Sequence, residues 1–292
     1  MTRRHRGASG LGPGHVGRGS AGAGIPTVHL ALWSGLGLVL LSPSAVAHNP
    51  LTNSGAEQWA AWSSALVLGV FWLCYLWGGR RDPASWPRML CFHATTGLAV
   101  LALLGPLDYW AETSTAAHMV QHMLLMVVIA PLWVLCRPLP QLAAASGRIA
   151  ARSGYSLLRL SAHPVICAYL HGLVIWFWHL PYFYMLAVDD PWWHIVEHAG
   201  FLLTAGLFWW SVLNASLRRA PWALFALLFT LIHTGFLGAL LTFARDPLYG
   251  EARDLVDQQL AGLIMWVLGA IPYITASAWL GHRWHRQMMR RA

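Results

Sequence analysis

Seven long apolar runs dominate the chain, and each is long enough to cross a lipid bilayer as a helix. About 20 predominantly apolar residues suffice for one crossing, and the 292-residue chain is 57% hydrophobic and only 10% charged. We therefore predict an all-α, polytopic membrane bundle. The predicted spans are Trp59–Trp77, Met89–Leu107, Ala117–Leu135, Val165–His179, Ile195–Leu213, Trp222–Phe243 and Leu260–Leu280.

A shorter apolar stretch, Val28–Ser42, precedes these runs and is typical of a signal peptide. Arginines lie before it, and the small residues of Pro43–Ala47 follow it, as at a secretory cleavage site. We expect residues 1–47 to be a signal peptide with a disordered basic n-region, and residues 48–292 to be a seven-helix transmembrane domain. An uncleaved eighth span is the alternative.

The arginines predict the orientation of the spans, because short cytoplasmic loops collect basic residues. The loops expected outside are Pro106–Ala116, Pro181–Trp193 and Ala244–Gln258, and they hold only two arginines, Arg245 and Arg253, both in the last loop. Thirteen fall on the other side: Arg80, Arg81, Arg88, Arg137, Arg148, Arg152, Arg159, Arg218, Arg219, Arg283, Arg286, Arg290 and Arg291. We expect the mature N-terminus outside and the C-terminus in the cytoplasm. The net charge of +8 then reflects the basic cytoplasmic segments, so no nucleic-acid partner is expected.

Histidines gather at the predicted outer ends of several spans, which points to a metal or haem site. His118 with His122 and His194 with His198 are each four residues apart, a spacing that puts both imidazoles on one helical face. His179 ends the fourth span on the same side. Ionisable side chains are costly inside a membrane and usually mark function there.

Copper is the best single match to these ligands. Imidazole binds copper, zinc and iron, whereas thioethers favour reduced copper, and Met126 lies four residues after His122. After cleavage His48 would be N-terminal, so its amine and imidazole could chelate copper. A haem held between histidines, a copper channel supported by His171 and His233, and a scaffold that binds no metal are the alternatives.

Two enzyme-like or receptor-like patterns carry less weight. His194–His198 matches HxxEH, the inverted zinc-protease motif, but the match is five residues long and begins a membrane span. Seven spans are also typical of retinal proteins, whose Schiff base requires a lysine. The chain contains no lysine, which excludes that class.

Several stretches from the third span onward resemble one family. They are His118–Met123 with Ala130–Leu132, Trp178–Pro181 with Tyr184, His194–His198 with Phe201 and Trp209, Gly238–Leu241 with Pro247–Tyr249, and Asp257–Trp266. The HMxQHM and DQQxxGxxMW patterns among them are the most specific. Together they resemble the CtaG family, the multi-span assembly factors of caa3-type cytochrome c oxidase.

The resemblance implies a non-enzymatic protein of the bacterial plasma membrane. It would act beside cytochrome c oxidase subunits in the same membrane, at copper insertion or metal-site maturation of a haem–copper oxidase. The expected metal ligands are His118, His122, His179, His194 and His198, with help from Met126 and His48. Asp257, Gln258 and Glu197 are expected to orient those ligands through hydrogen bonds.

Overall fold

The computed structural model describes residues 55–250 and 253–290, without the side chains of residues 148–157, and this part of the chain is helical with no β-strand. The all-α prediction is confirmed there. The expected signal peptide (residues 1–47) and His48 lie outside the described residues. The helices are α1 (Ala56–Gly79), α2 (Trp86–Leu104), α3 (Pro106–Thr113), α4 (Thr115–Met123), α5 (Ala130–Cys136), α6 (Leu139–Leu160), α7 (Pro164–Trp178), α8 (Pro181–Asp189), α9 (Pro191–Leu213), α10 (Ala220–Thr242), α11 (Leu255–Leu263) and α12 (Ala270–Met289).

The described residues contain six helical stretches that could cross a membrane, or seven spans if one bent pair is included. The six are Ala56–Gly79, Trp86–Thr113, Thr115–Cys136, Pro191–Leu213, Ala220–Thr242 and Leu255–Met289. The bent pair is α7 and α8, which meet at 74°. Large apolar side chains such as Leu66, Leu173 and Phe236 are exposed on the outside of the bundle, as expected for a surface that faces lipid.

Prolines begin several helices and turn two expected outer loops into helices. Pro106 and Pro181 occupy the first turns of α3 and α8, where a missing N–H costs nothing and the fixed φ favours the helix. Leu180, directly before Pro181, is extended, because the proline ring disfavours the α conformation there. The loops expected at Pro106–Ala116 and Pro181–Trp193 are thus largely helical, and the bend at Leu180 sets the angle between α7 and α8.

Two π-helical segments widen long helices inside the bundle. Leu124–Ile129 joins α4 to α5, and Ile264–Leu268 joins α11 to α12. Pro131 follows the first segment by two residues, and Pro272 follows the second by four. In a regular α-helix each proline ring would clash with the carbonyl four residues earlier. The wider turns relieve that clash and shift the angular register of the residues within and after them.

Small residues bring α10 and α11 into close contact. A Cβ at Gly262 would lie 2.5 Å from the Gly238 carbonyl oxygen, and a Cβ at Gly238 would lie 2.9 Å from the Gly262 carbonyl oxygen. Backbones approach this closely in membrane bundles where neither helix carries a side chain at the crossing. The contact fixes α11 against the bundle and, through Asp257, the start of α4.

Candidate metal centre

Five imidazoles converge at one end of the bundle. The ring centroids of His118 and His122 are 4.2 Å apart, as are those of His194 and His198. Across the interface, His118 faces His194 at 5.2 Å and His122 faces His198 at 5.6 Å. His179 completes the group at 6.1 Å from His122. The two histidine pairs therefore form a two-level cluster between α4 and α9.

Helix caps position both pairs in the first turns of their helices. Ser114 caps α4 by accepting a hydrogen bond from the Ala117 amide, and Asp190 caps α9 by accepting from the amides of Trp192 and Trp193. Such caps satisfy amides that have no partner within the helix. Each capped start places its histidines one turn apart on the face that the other helix contacts.

Glu197 lies inside the cluster rather than behind it. Its Oε2 is 3.4 Å from the Nε2 atoms of both His118 and His122, and its side chain is 0% exposed. Neither of its carboxylate oxygens has a hydrogen-bond partner among the described residues. A buried carboxylate is costly unless positive charge compensates it. This position suits a direct ligand of a cation, a more central role than the orienting one expected from the sequence.

The cluster offers three overlapping sets of ligand atoms, and within each set the atoms lie within 4.8 Å of one another. The sets are His118 with His194 and Glu197, His122 with Glu197 and His198, and Asp108 with His194 and His198. Every set shares a member with another. A metal ion could therefore exchange ligands one at a time while it stays bound.

Asp108 is a candidate ligand that sequence reasoning missed. Its Oδ1 lies 4.0 Å from His194 Nδ1, and the buried Gln121 amide donates to the same oxygen at 2.6 Å. Gln121 also donates to the Ala102 carbonyl oxygen at 2.8 Å, which ties α4 to α2. The available signal was Pro106, because a helix that starts there places Asp108 in its first turn instead of in a loop.

The backbone fixes the proton position on His179. The Nδ1–H group of this ring donates to the Ile175 carbonyl oxygen at 2.8 Å, so the Nε2 atom is left with its lone pair. That Nε2 is buried and has no hydrogen-bond partner among the described residues, and the same holds for both ring nitrogens of His118 and of His122. Metal-binding histidines typically show this pattern, with one nitrogen held by a carbonyl and the other free to coordinate.

Asp257 and Gln258 hold the protein around the cluster. The Asp257 carboxylate accepts hydrogen bonds from Ser114 Oγ at 2.9 Å and from the Ala116 amide at 3.2 Å. Gln258 Oε1 accepts from the Leu248 amide at 2.7 Å. Asp257 thus positions the start of α4, and with it both of that helix's histidines, through the backbone instead of through an imidazole.

Met126 lies in the hydrophobic core and has a structural contact there. It is buried, and its carbonyl oxygen accepts a hydrogen bond from the Trp209 indole at 2.8 Å. The same indole stacks on Tyr273. Because Met126 lies in the π-helical segment after Met123, the α-helical register that would align it with His122 does not hold.

An aromatic roof, made of Tyr184, Tyr249 and Arg253, covers one side of the cluster. The two tyrosine rings stack at 3.7 Å, the Arg253 guanidinium lies 5.9 Å from the Tyr184 ring, and Tyr184 is 5.1 Å from the His118 ring. Burial raises the pKa of the Tyr249 hydroxyl, which keeps it protonated and able to donate to the His179 carbonyl oxygen at 3.5 Å.

A cavity of about 220 Å³ reaches the cluster from the side. Asp108, His194 and His198 line one wall, and residues of α1 from Glu57 to Leu68 line the other. The cavity is large enough for several water molecules or a hydrated ion. The ligand set that contains Asp108 therefore borders the cavity, whereas Glu197 is not among the residues that line it.

Comparison with known proteins identifies the family. The family described as cytochrome c oxidase caa3 assembly factor (Caa3_CtaG) matches residues 58–287, which include all of the described bundle except its ends. No curated protein and no solved structure matches the chain significantly. The match includes both histidine pairs, Glu197 and Asp108, and it confirms the resemblance seen in the sequence. The chain belongs to the Caa3_CtaG family of cytochrome c oxidase assembly factors.

Proposed function

We propose that this protein binds copper in the cluster of His118, His122, His194, His198 and Glu197 and passes it to a cytochrome c oxidase during assembly. The observation that carries the proposal is the set of three overlapping ligand groups, in which the ring nitrogens of His118 and His122 and the carboxylate oxygens of Glu197 are buried without a hydrogen bond among the described residues. We take the oxidase as the recipient of the copper from the family, which is described as a cytochrome c oxidase caa3 assembly factor. The copper is cargo, and the protein acts without catalysing a reaction.

The ligand atoms of the cluster are suited to reversible binding of copper. Imidazole nitrogens with one carboxylate suit copper, zinc and iron, and a haem–copper oxidase requires copper at its metal sites. The cluster has no thiolate, so it binds less tightly than a closed cage of cysteines. The shared ligands His194 and His198 support stepwise movement between the Asp108 side and the Glu197 side.

We further propose that the cluster lies at the extracytoplasmic face. It is formed by the start of α4, the end of α7 and the start of α9, all at the end opposite the arginine-rich segments such as Arg80–Arg81 and Arg218–Arg219. Basic residues mark cytoplasmic loops. Copper would then enter and leave on the outer side of the plasma membrane.

Two other chemistries fit the cluster less well. The facing imidazoles contact one another through their rings at 5.2 and 5.6 Å, which leaves no flat slot for a haem between them. A zinc protease would need Glu197 as a general base within reach of a substrate water. Glu197 instead lies fully buried between His118 and His122.

The proposal is tested by replacing His122 and His198 together with alanine. Copper per purified protein, measured by mass spectrometry after loading, is expected to fall, and oxidase activity is expected to be lost in cells that carry only this variant. The matched control replaces two exposed histidines of α12, His282 and His285, with alanine, and it should retain both properties. Membrane insertion should be the same in all three proteins.

Two results would overturn the proposal. If the His122/His198 variant keeps its copper and supports full oxidase activity, the cluster does not handle the metal. If oxidase maturation is lost while copper binding by the variant and the wild type is equally absent, the protein is a metal-free scaffold.

A further inference from the structure

Two cysteine thiols meet at the arginine-rich end of the bundle. Cys136 Sγ lies 2.7 Å from Cys91 Sγ, although 45 positions separate the two residues in the sequence. Cys91 lies in the second turn of α2, and Cys136 is the last residue of α5. Arg88 precedes Cys91 by three residues, and Arg137 directly follows Cys136. The pair therefore lies at the end of the bundle opposite the histidine cluster.

The packing of three helices holds the thiols together. The Trp133 indole donates a hydrogen bond to Thr96 Oγ1 at 3.4 Å, which ties α5 to α2. The Phe92 ring of α2 stacks on the Tyr75 ring of α1 at 3.7 Å. Tyr75, Phe92 and Cys136 are buried in one apolar cluster, and Cys91 and Trp133 pack against it. The approach of the two sulfurs is thus set by the core at this end of the bundle.

The distance between the sulfurs favours a covalent bond over a shared metal ion. The sulfurs of a disulfide lie about 2.05 Å apart. Two sulfurs that each bind one tetrahedral metal ion at about 2.3 Å lie about 3.8 Å apart. The 2.7 Å between Cys91 and Cys136 is nearer to the disulfide. Among the described residues, no group of candidate metal ligands includes a cysteine.

The two thiols differ in accessibility. Cys136 is 1% exposed, whereas Cys91 is partly exposed. Thiol–disulfide exchange requires that one sulfur be reached from outside. Cys91 is therefore the residue that a small molecule meets first, and Cys136 lies behind it within reach of the Cys91 sulfur.

We infer that Cys91 and Cys136 form a reversible disulfide by exchange with a low-molecular-weight disulfide. The Cys91 sulfur attacks one sulfur of the small disulfide, whose S–S bond breaks; a mixed disulfide forms, and one small thiol leaves with the Cys91 proton. The Cys136 sulfur then attacks the Cys91 sulfur, and the second small thiol leaves with the Cys136 proton. The protein pair has lost two electrons, and the small disulfide has been reduced to two thiols. An excess of small thiol reverses both steps.

The place of the pair in the bundle suits a redox-dependent link between two spans. In the proposed orientation this end faces the cytoplasm, where lasting disulfides are rare and transient ones commonly sense the redox state. The bridge joins the stretches Trp86–Thr113 and Thr115–Cys136, whose other ends carry Asp108 and the pair His118 and His122. It uses none of the candidate metal ligands. The inference therefore goes beyond the proposed function and holds whether or not copper is bound.

The experiment treats the intact, reduced protein with oxidised glutathione, labels the remaining thiols with a maleimide and identifies the products by mass spectrometry. Wild type is expected to lose two of its four free thiols, to yield a peptide pair joined through Cys91 and Cys136, and to regain all four thiols with excess dithiothreitol. The controls Cys74→Ser and Cys167→Ser should form the same bridge. Retention of four thiols by wild type, or a bridge through Cys74 or Cys167 instead, would overturn the inference.

Two single substitutions test the order of the steps. Cys136→Ser should retain one glutathione on Cys91, because the thiol that completes the exchange is missing. Cys91→Ser should stay unmodified at Cys136, because that thiol is buried. Equal modification of both variants, or of neither, would overturn the inference. The bridge in wild type is measured without any substitution, so it tests the inference even if a variant misfolds.

Discussion

Replacing Glu197 with glutamine tests whether its charge holds the metal. The side chain keeps its shape and loses its negative charge. Two unit charges about 4 Å apart attract by about 4 kcal/mol at an effective dielectric constant near 20, and the Oε2 atom lies 3.4 Å from two candidate ligand nitrogens. The carbonyl oxygen of the glutamine can still contact the ion, which offsets part of this lost attraction, so we expect a net loss of about 3 kcal/mol. At 1.4 kcal/mol per tenfold change, copper affinity should fall about 100-fold.

The assay is a chelator competition titration of purified protein, with thermal unfolding as a check on the fold. The matched control is Asp189→Asn, which removes the same charge from an exposed position at the end of α8 and should change affinity less than threefold. Metal-free Glu197→Gln should unfold at or above the wild-type temperature, because an uncompensated buried charge is removed, and should gain less from added copper. Wild-type affinity in Glu197→Gln, or an equal loss in both variants, would refute a ligand role for the carboxylate.

Three further predictions concern the surroundings of the cluster. Gln121→Leu removes two buried hydrogen bonds, one of them to Asp108. It should lower the free energy of unfolding, measured by denaturation in detergent, by about 1–3 kcal/mol. An unchanged free energy of unfolding would show that the protein does not need these hydrogen bonds. Gly262→Ala should destabilise the bundle by at least about 1 kcal/mol, because the new Cβ would lie 2.5 Å from the Gly238 carbonyl oxygen. The control Gly206→Ala should be tolerated, because no atom lies within 4 Å of the Cβ position there. Equal stability of the two variants would contradict this reasoning. Copper affinity should fall as the pH is lowered, since protons compete with the metal for the same imidazole nitrogens; a titration showing no pH dependence would argue against histidine ligands.

The histidine spacing was sufficient to predict which imidazoles lie side by side on one helix. Residues four apart on a helix share a face whatever the tertiary structure, so His118 with His122 and His194 with His198 could be paired from the sequence. The arginine distribution then placed the starts of α4 and α9 at one end of the bundle. The structure adds that these two faces contact each other, which no local pattern encodes.

The carboxylates were harder to assign, because their roles depend on contacts between helices. Glu197 follows His194 by three residues, which places it near the same face, but only the packing of α9 against α4 shows that it lies between His118 and His122. Asp108 was assigned to a loop, and its approach to His194 depends on the helix that Pro106 begins. Met126 was aligned with His122 by assuming an α-helix, and the π-helical segment breaks that assumption.

Under the proposed function, the aromatic roof would affect the rate of copper exchange separately from the affinity for copper. Tyr184, Tyr249 and Arg253 cover the cluster on one side, and the cavity between α1 and α9 that Asp108 borders reaches it from another. Larger residues in place of Ala60 or Ala61, which line this cavity, would narrow it without changing a candidate ligand. They should slow both uptake and release while the dissociation constant stays the same, because a barrier alters rates in both directions equally. If copper leaves through this cavity, the oxidase subunit that receives it would dock beside α1.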